Sequence, residues 1–196
     1  MTDPAPSVVH CQRMWEEIDF PRLTEQTYPS VMAYIQALEQ LYVNGSVEFS
    51  TFAIPVHATF DWYCSHDAFR EMAFFQNFWL APSVKQAFPF ELKPAIDLSA
   101  ADVFVGIETV SLGESLASAL TYGGAYQTYG AGPLDARVKG EAAANELIGT
   151  HGDEVRIYTC NVAWCDFFWD VLWDWTWVII DPAARRIHLI CTTDSD

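Results

Sequence analysis

Basic residues are scarce in this 196-residue sequence: ten lysines and arginines stand against 26 aspartates and glutamates, for a formal net charge of −16. Such a charge repels phosphate backbones and anionic lipid headgroups, so we expect neither nucleic acid nor a membrane surface as a partner. The same electric field would speed the encounter with a basic protein, which is therefore the partner that the charge favours. Many acidic proteins are merely soluble, so the charge alone leaves both readings open.

The sequence also lacks a long apolar run. The most apolar stretch, residues 171–180, is too short to span a bilayer and contains Asp174. The first residues include Thr2, Asp3 and Pro4 and show no basic region followed by an apolar run, so they do not predict a secretory signal. These absences predict a cytoplasmic protein.

Paired cysteines are a third absence. The five cysteines are odd in number and irregularly spaced, which indicates reduced, mostly buried thiols and not a disulfide framework. Cys160 and Cys165 have no second Cys or His pair at zinc-finger spacing, and His188 and Cys191 could join them only if the fold brought them together. We therefore expect no metal and no cofactor.

What the sequence has in abundance is apolar and aromatic surface: 51% of the residues are hydrophobic and 15% are aromatic. This is ample for one packed core, and no polar stretch is long enough to link two domains. We predict a single α+β domain over residues 1–196, mainly an antiparallel sheet with packed helices, in which 1–27 form an irregular lead-in with a short helix near Trp15.

The spacing of apolar residues predicts most of the elements. Helices are predicted over 29–44, 65–80, 114–122 and 133–148. Strands are predicted over 47–53, 58–63, 103–110, 154–159, 173–180 and 186–192, the first two as a hairpin-like pair and the last two joined at Asp181-Pro182. The end of the second helix, 74–79, is so aromatic that it predicts either burial against several neighbours or an exposed binding patch.

One segment carries the ingredients of nucleophilic catalysis. Residues 61–67 contain the thiol of Cys64, the imidazole of His66 and the carboxylates of Asp61 and Asp67. If the segment is extended, Cys64 and His66 point to opposite faces, and Ser65 is explained as a helix cap. The structural interpretation is therefore favoured over a catalytic one.

The glycine-rich stretch 123–132 suggests a phosphate cradle only superficially. It lacks the Gly-Lys-Ser/Thr ending of a P-loop, and a helix precedes it where a dinucleotide fingerprint requires a strand. Glycines that end a helix explain it better.

The segment 164–177 holds five of the eight tryptophans, with Asp166, Asp170 and Asp174 at intervals of four. If the segment is helical, the three carboxylates share one face and could meet cations or a metal. We favour a core edged by carboxylates that accept hydrogen bonds from indole N–H groups.

The C-terminal pattern resembles a family of uncharacterised bacterial proteins. The resemblance rests on Trp173-Asp174-Trp175-Thr176-Trp177, on the closing Thr193-Asp194-Ser195-Asp196 and on the turn Gly123-Gly124-Ala125-Tyr126. It covers the last 80 or so residues, implies a bacterial origin and carries no known activity.

Three functions compete. The first is a non-catalytic acidic binding protein, of the kind that confers immunity by neutralising a basic toxin or another cationic partner. The second is a hydrolase or transferase that uses Cys64, His66 and a distant carboxylate, which requires these groups to converge in a pocket. The third is a structural or assembly subunit, for which an exposed apolar patch at 74–79 would be the distinguishing sign.

The partner-binding residues that we predict are four carboxylates. Asp166 and Asp170 precede the tryptophan-rich strand, and Asp194 and Asp196 end the strand predicted to pair with it. Because the start of one antiparallel strand adjoins the end of the other, the four could gather at one edge of the sheet. The alternative is that Asp166 and Asp170 accept indole or backbone hydrogen bonds while the C-terminal pair is solvated.

Overall fold

The computed structural model describes residues 4–196, and within that range seven helices surround one five-stranded antiparallel sheet. This confirms the predicted α+β fold. The helices are α1 (Val8–Glu17), α2 (Pro29–Glu39), α3 (Ala58–Ser65), α4 (Phe74–Phe78), α5 (Pro82–Ala87), α6 (Leu112–Tyr122) and α7 (Gly132–Ile148). The strands are β1 (Ser46–Ala53), β2 (Val105–Ile107), β3 (Arg156–Cys160), β4 (Trp175–Asp181) and β5 (Arg186–Thr193).

The sheet has the order β1-β5-β4-β3-β2, so β4 and β5 lie at its centre and β1 and β2 at its edges. The hairpin β4–β5 closes where the carboxylate of Asp181 accepts a hydrogen bond from the backbone N–H of Ala184 at 2.8 Å. A short return of this kind confirms the predicted antiparallel pairing of the two C-terminal strands.

The sheet is covered on both faces, which explains why β4 is apolar at successive positions. Val178 and Ile180 pack into the core beneath α1, α3, α4 and α5, whereas Trp177 and Ile179 pack into the core beneath α2, α6 and α7. A strand buried on both faces loses the alternation of apolar and polar residues that marks a half-exposed strand.

The predicted strand at 58–63 is wrong, because this segment is helix α3. His57 caps its start, and the ring Nδ1 accepts a hydrogen bond from the backbone N–H of Thr59 at 3.2 Å. The buried residues Phe60, Tyr63 and Cys64 follow helical spacing.

The predicted helix at 65–80 is also wrong over most of its length. Ser65 is the last residue of α3 and not a cap of a new helix. Asp67 and Ala73 have φ values of 53° and 52°, a left-handed conformation that an α-helix cannot contain, so the helix resumes only at α4.

Two smaller corrections concern the other segments. The strand predicted at 103–110 is reduced to the three residues of β2, followed by a 3₁₀ turn at Thr109–Ser111. In the lead-in, the short helix predicted near Trp15 is confirmed as α1, although its ten residues make the segment more regular than predicted; positions 1–3 of that predicted segment lie outside the described residues.

The aromatic end of the second predicted helix is buried. Phe74, Phe75, Phe78 and Trp79 are each at most 5% exposed and pack in the core beneath α1 and α3. The patch that would mark an assembly subunit is therefore not exposed at 74–79. Within residues 4–196, no helix combines the length and the hydropathy needed to cross a membrane.

Candidate partner-binding loop

The residues of the catalytic hypothesis occupy separate environments. Cys64 is buried, and burial raises the pKa of its thiol to about 12, which keeps it protonated and a poor nucleophile at neutral pH. His66 is exposed, its ring stacks on Trp62 at 3.9 Å, and its Nδ1 lies 2.8 Å from the carbonyl of Trp62. The same Nδ1 lies 3.0 Å from Oγ of Ser65. These contacts at the end of α3 account for the positions of Ser65 and His66 as local side-chain-to-backbone bonding.

The nearby carboxylates serve ion pairs. Asp61 binds the guanidinium of Arg185 at 2.9 Å, and Asp67 binds that of Arg156 at 3.0 Å. Neither Asp61 nor Asp67 forms a hydrogen bond with His66, so neither of these two carboxylates orients its imidazole. Across residues 4–196, no three His, Cys, Asp or Glu side chains are grouped so that they could hold a metal ion.

Asp194 is not on the surface. It is 0% exposed, and its two carboxylate oxygens accept hydrogen bonds from the backbone N–H groups of Asn44 at 3.1 Å and Ala125 at 2.7 Å. The side chain thus joins the residue after β5 to two loops, and the partner contact predicted for Asp194 stays a prediction. Asp196, two residues on, is exposed.

The glycine-rich stretch meets the same carboxylate. A Cβ added to Gly124 would lie 2.2 Å from the carbonyl oxygen of Leu41 and 2.7 Å from Oδ2 of Asp194. Glycine is required there because two segments approach the backbone closely, which is a structural reason and not a phosphate-binding one.

Asp166 is exposed but takes part in a backbone bridge. Its Oδ1 accepts a hydrogen bond from the N–H of Glu91 at 2.8 Å, and its own N–H donates to the carbonyl of Glu91 at 3.0 Å. The alternative interpretation, hydrogen bonding to the backbone, therefore describes one oxygen of Asp166, while the carboxylate still lies at the surface.

Residues 166–173 form a surface segment that we call the aromatic loop, and it is not helical. Lys93 Nζ donates a hydrogen bond to the carbonyl of Phe168 at 3.1 Å, and the Phe167 ring stacks on Phe90 at 4.6 Å. At the other end, Thr192 Oγ1 donates to the carbonyl of Trp173 at 3.2 Å. Both ends of the loop are thus held to the rest of the chain.

The tip of the aromatic loop is apolar and exposed. Trp169 is 66% exposed and Leu172 is 63% exposed, whereas most tryptophans of this chain pack in the core. Asp170, between them in sequence, is exposed and has a φ of 63°. Aspartate adopts the left-handed region more readily than most non-glycine residues, so this conformation is compatible with a tight turn at the tip of the loop.

Most cationic side chains are engaged inside the chain, which leaves the surface acidic. Four arginines and one lysine form ion pairs with carboxylates: Arg13, Arg137, Lys139, Arg156 and Arg185. Two others, Lys93 and Arg70, donate to backbone carbonyls. These contacts use most of the cationic side chains, and the chain keeps its net charge of −16, so the aromatic loop belongs to a strongly acidic protein.

Sequence reasoning missed Trp169 and Leu172. It assigned the tryptophan-rich segment to the core, which is right for Trp164 and Trp177 but not for the tip. No local pattern identified them, since Asp166 and Asp170 at an interval of four also suit a helix.

Comparisons with family models, with curated proteins and with solved structures give no match to this chain. The resemblance of its C-terminal pattern to bacterial proteins therefore stays an expectation from the sequence.

Proposed function

We propose that this protein is a non-catalytic binding protein that captures a basic protein partner, such as a toxin that it neutralises, through the aromatic loop. The main support is the aromatic loop, which is anchored at both ends and exposes Trp169 and Leu172. The carboxylates of Asp166 and Asp170 lie in the same exposed loop, and the chain has a net charge of −16.

The two kinds of side chain would act at different stages. A tryptophan buries about 150–250 Å² when it enters a complementary pocket, and tryptophan is enriched among the residues that dominate binding energy. The carboxylates would attract a cationic partner and set the rate of association, an effect that salt screens. The anchored ends favour binding because little conformational entropy is lost when the loop docks.

Substitutions in the loop test this proposal. Immobilised wild-type protein and the Trp169→Ala variant are incubated with lysate, and the retained proteins are identified and then purified. Leu134→Ala is the matched control, because Leu134 is 77% exposed on α7, far in sequence from the loop. We expect a basic protein that wild type and the control retain and that Trp169→Ala loses, with a dissociation constant weakened at least about thirtyfold.

The electrostatic half of the proposal needs its own variant. Asp170→Asn removes the charge, while asparagine tolerates the left-handed conformation of position 170. Combined with Asp166→Asn, it should slow association with the purified partner and leave dissociation nearly unchanged. Unchanged association rates in the folded double variant, or a retained protein that is acidic, would contradict the proposal.

A further inference from the structure

The outer edge of β1 is covered by the chain at one end and open at the other. Residues 21–23 bond to the carbonyl of Thr51 and to the N–H of Ala53, each at 2.8 Å. Backbone groups of alternate residues face the same side of a strand, so those of Val47 and Phe49 also face outward. In the part of the chain that the structure describes, the backbone of Val47 and Phe49 makes no hydrogen bond on that side.

A groove of about 520 Å³ runs along this open part of the edge, and we call it the β1 groove. Five consecutive residues of β1, 47–51, line it together with the chain between positions 22 and 29 and with one side of α2. Its apolar lining includes Met32, which is 43% exposed, and Tyr28, whose ring packs edge-on against Phe49 at 5.6 Å. The β1 groove thus combines outward backbone groups with apolar side chains, which is the combination that binds an extended segment by strand addition.

The side chains of β1 alternate between the two faces of the sheet. Val47 and Phe49 pack against the core beneath α2, so Glu48, between them, faces the other side. Glu48 and Glu39 both line the β1 groove, and neither forms an ion pair within residues 4–196. Arg22 lines the groove too and is not ion-paired with either carboxylate. An added strand would therefore meet an apolar, an acidic and an apolar position in turn.

The charge at position 48 decides between two occupants. A second copy of this chain that used both Val47 and Phe49 for antiparallel pairing would place its own Glu48 directly opposite Glu48 of the first copy. Like charges at directly opposite positions destabilise a strand pair, whereas opposite charges stabilise it. A second copy is thus a poor occupant, and a segment that carries a cation between two apolar residues is a good one, in keeping with the net charge of −16.

We propose that the β1 groove binds an extended segment of a basic protein, which pairs antiparallel with the open part of β1 and places a lysine or arginine opposite Glu48 and apolar side chains opposite Val47 and Phe49. This inference rests on the proposed function in one respect, the basic character of the partner, and adds a second contact that the aromatic loop does not supply. Backbone pairing provides affinity, and the alternation of side chains sets which sequence fits.

Labelled peptides test the inference on the purified chain by fluorescence anisotropy. The probe has the central sequence Val-Lys-Val between polar residues, and a comparison peptide has Val-Glu-Val in its place. We expect the lysine peptide to bind, less tightly as salt is added, and the glutamate peptide to bind at least about tenfold more weakly.

N-methylated forms of the lysine peptide test the backbone pairing. Residues opposite Val47 and Phe49 would exchange both N–H···O bonds with them, whereas the N–H of the residue opposite Glu48 would point away from β1. N-methylation of the two valines should therefore abolish binding, and N-methylation of the lysine should leave affinity within about twofold.

Variants of the chain locate the contact. Glu48→Gln should weaken the lysine peptide about threefold or more, and Arg22→Gln, which removes a competing cation from the groove, should tighten it. The matched control Glu16→Gln removes the same charge as Glu48→Gln from an exposed position outside the groove, and it should change affinity by less than about twofold.

Equal loss in Glu48→Gln and Glu16→Gln, equal binding of the two methylated peptides, or no binding of the lysine peptide would overturn strand addition at β1. Trp169→Ala should not affect the peptide. If the peptide fails to bind while Trp169→Ala still abolishes capture of a basic protein, the β1 groove inference fails and the proposed function stands. If the peptide binds as described while Trp169→Ala captures the same proteins as the wild type, the aromatic loop is removed instead.

Discussion

The hydroxyl of Thr193 donates a hydrogen bond to Oδ1 of Asp174 at 2.6 Å, and both side chains are buried. The other oxygen of Asp174 accepts from the backbone N–H of Val171 at 3.0 Å. The bond thus ties the segment before β4 to the end of β5. Asp174 and Asp194 are therefore buried and bonded within the fold, whereas Asp166, Asp170 and Asp196 lie at the surface.

The first prediction separates two C-terminal carboxylates. Asp194→Ala removes the acceptors of two part-buried N–H groups, those of Asn44 and Ala125, and the loss of a fully buried donor's partner costs about 1–3 kcal/mol for each group. We expect the free energy of unfolding in urea to fall by about 1–3 kcal/mol. Asp196→Ala, at an exposed position, should change it by less than about 0.5 kcal/mol. Equal effects would contradict the assigned role of Asp194.

The second prediction concerns close approach at Gly124. Gly124→Ala would drive a Cβ to 2.2 Å from the carbonyl oxygen of Leu41, which the backbone must move to avoid. We expect a loss of about 1–3 kcal/mol or more, measured as a lower urea midpoint. Gly130→Ala is the matched control because nothing lies within 4 Å of its added Cβ, and it should be neutral or slightly stabilising.

The third prediction compares two tryptophans. Trp177 is 0% exposed, and its indole N–H donates to Ser115 Oγ at 2.9 Å, so Trp177→Ala should cost about 3–5 kcal/mol of stability. Trp169→Ala should cost under about 1 kcal/mol because Trp169 is 66% exposed. Thermal denaturation of both variants checks this, and a strongly destabilised Trp169→Ala would show that the aromatic loop serves the fold and not binding.

The fourth prediction is a pH dependence set by His188. Burial lowers the pKa of this imidazole to about 4 in the folded chain, and its Nδ1 pairs with Thr51 Oγ1 at 2.9 Å. The unfolded chain binds the proton near pH 6.5, so the contribution of His188 is fully present above that pH and is lost as pH falls towards 4. Between about pH 7 and pH 5, the wild type should lose about 2 kcal/mol through this group.

The control for that measurement is His188→Gln, which cannot titrate. Its stability at about pH 7 is expected to be lower, since a packed buried ring is lost, but its decline towards about pH 5 should be shallower than that of the wild type. Parallel declines in urea titrations of the two proteins would show that His188 is not the group responsible.

Local patterns were sufficient for the elements that have one period and clear ends. Helices α6 and α7 end at glycines, as predicted, and the hairpin β4–β5 has a turn at Asp181-Pro182. Helix α2 begins at Pro29 as predicted but ends at Glu39, before the predicted end at 44. The region 58–80 was misread because aromatic residues suit both a buried helix and a buried strand. Only the core beneath the sheet determines which of them point inward.

The sequence by itself determined the acidity of the chain and the α+β class, and it was enough to select Asp166 and Asp170 as candidate partner-binding residues, because charge and periodicity are local properties. The burial of Asp194 was decided by tertiary structure, since its partners Asn44 and Ala125 lie 150 and 69 residues away in the chain. The exposure of Trp169 was decided in the same way: anchors at both ends of the aromatic loop leave its tip outside the core, although the same residue type is buried at Trp177. Burial depends on which distant segments pack together, and no local pattern encodes that.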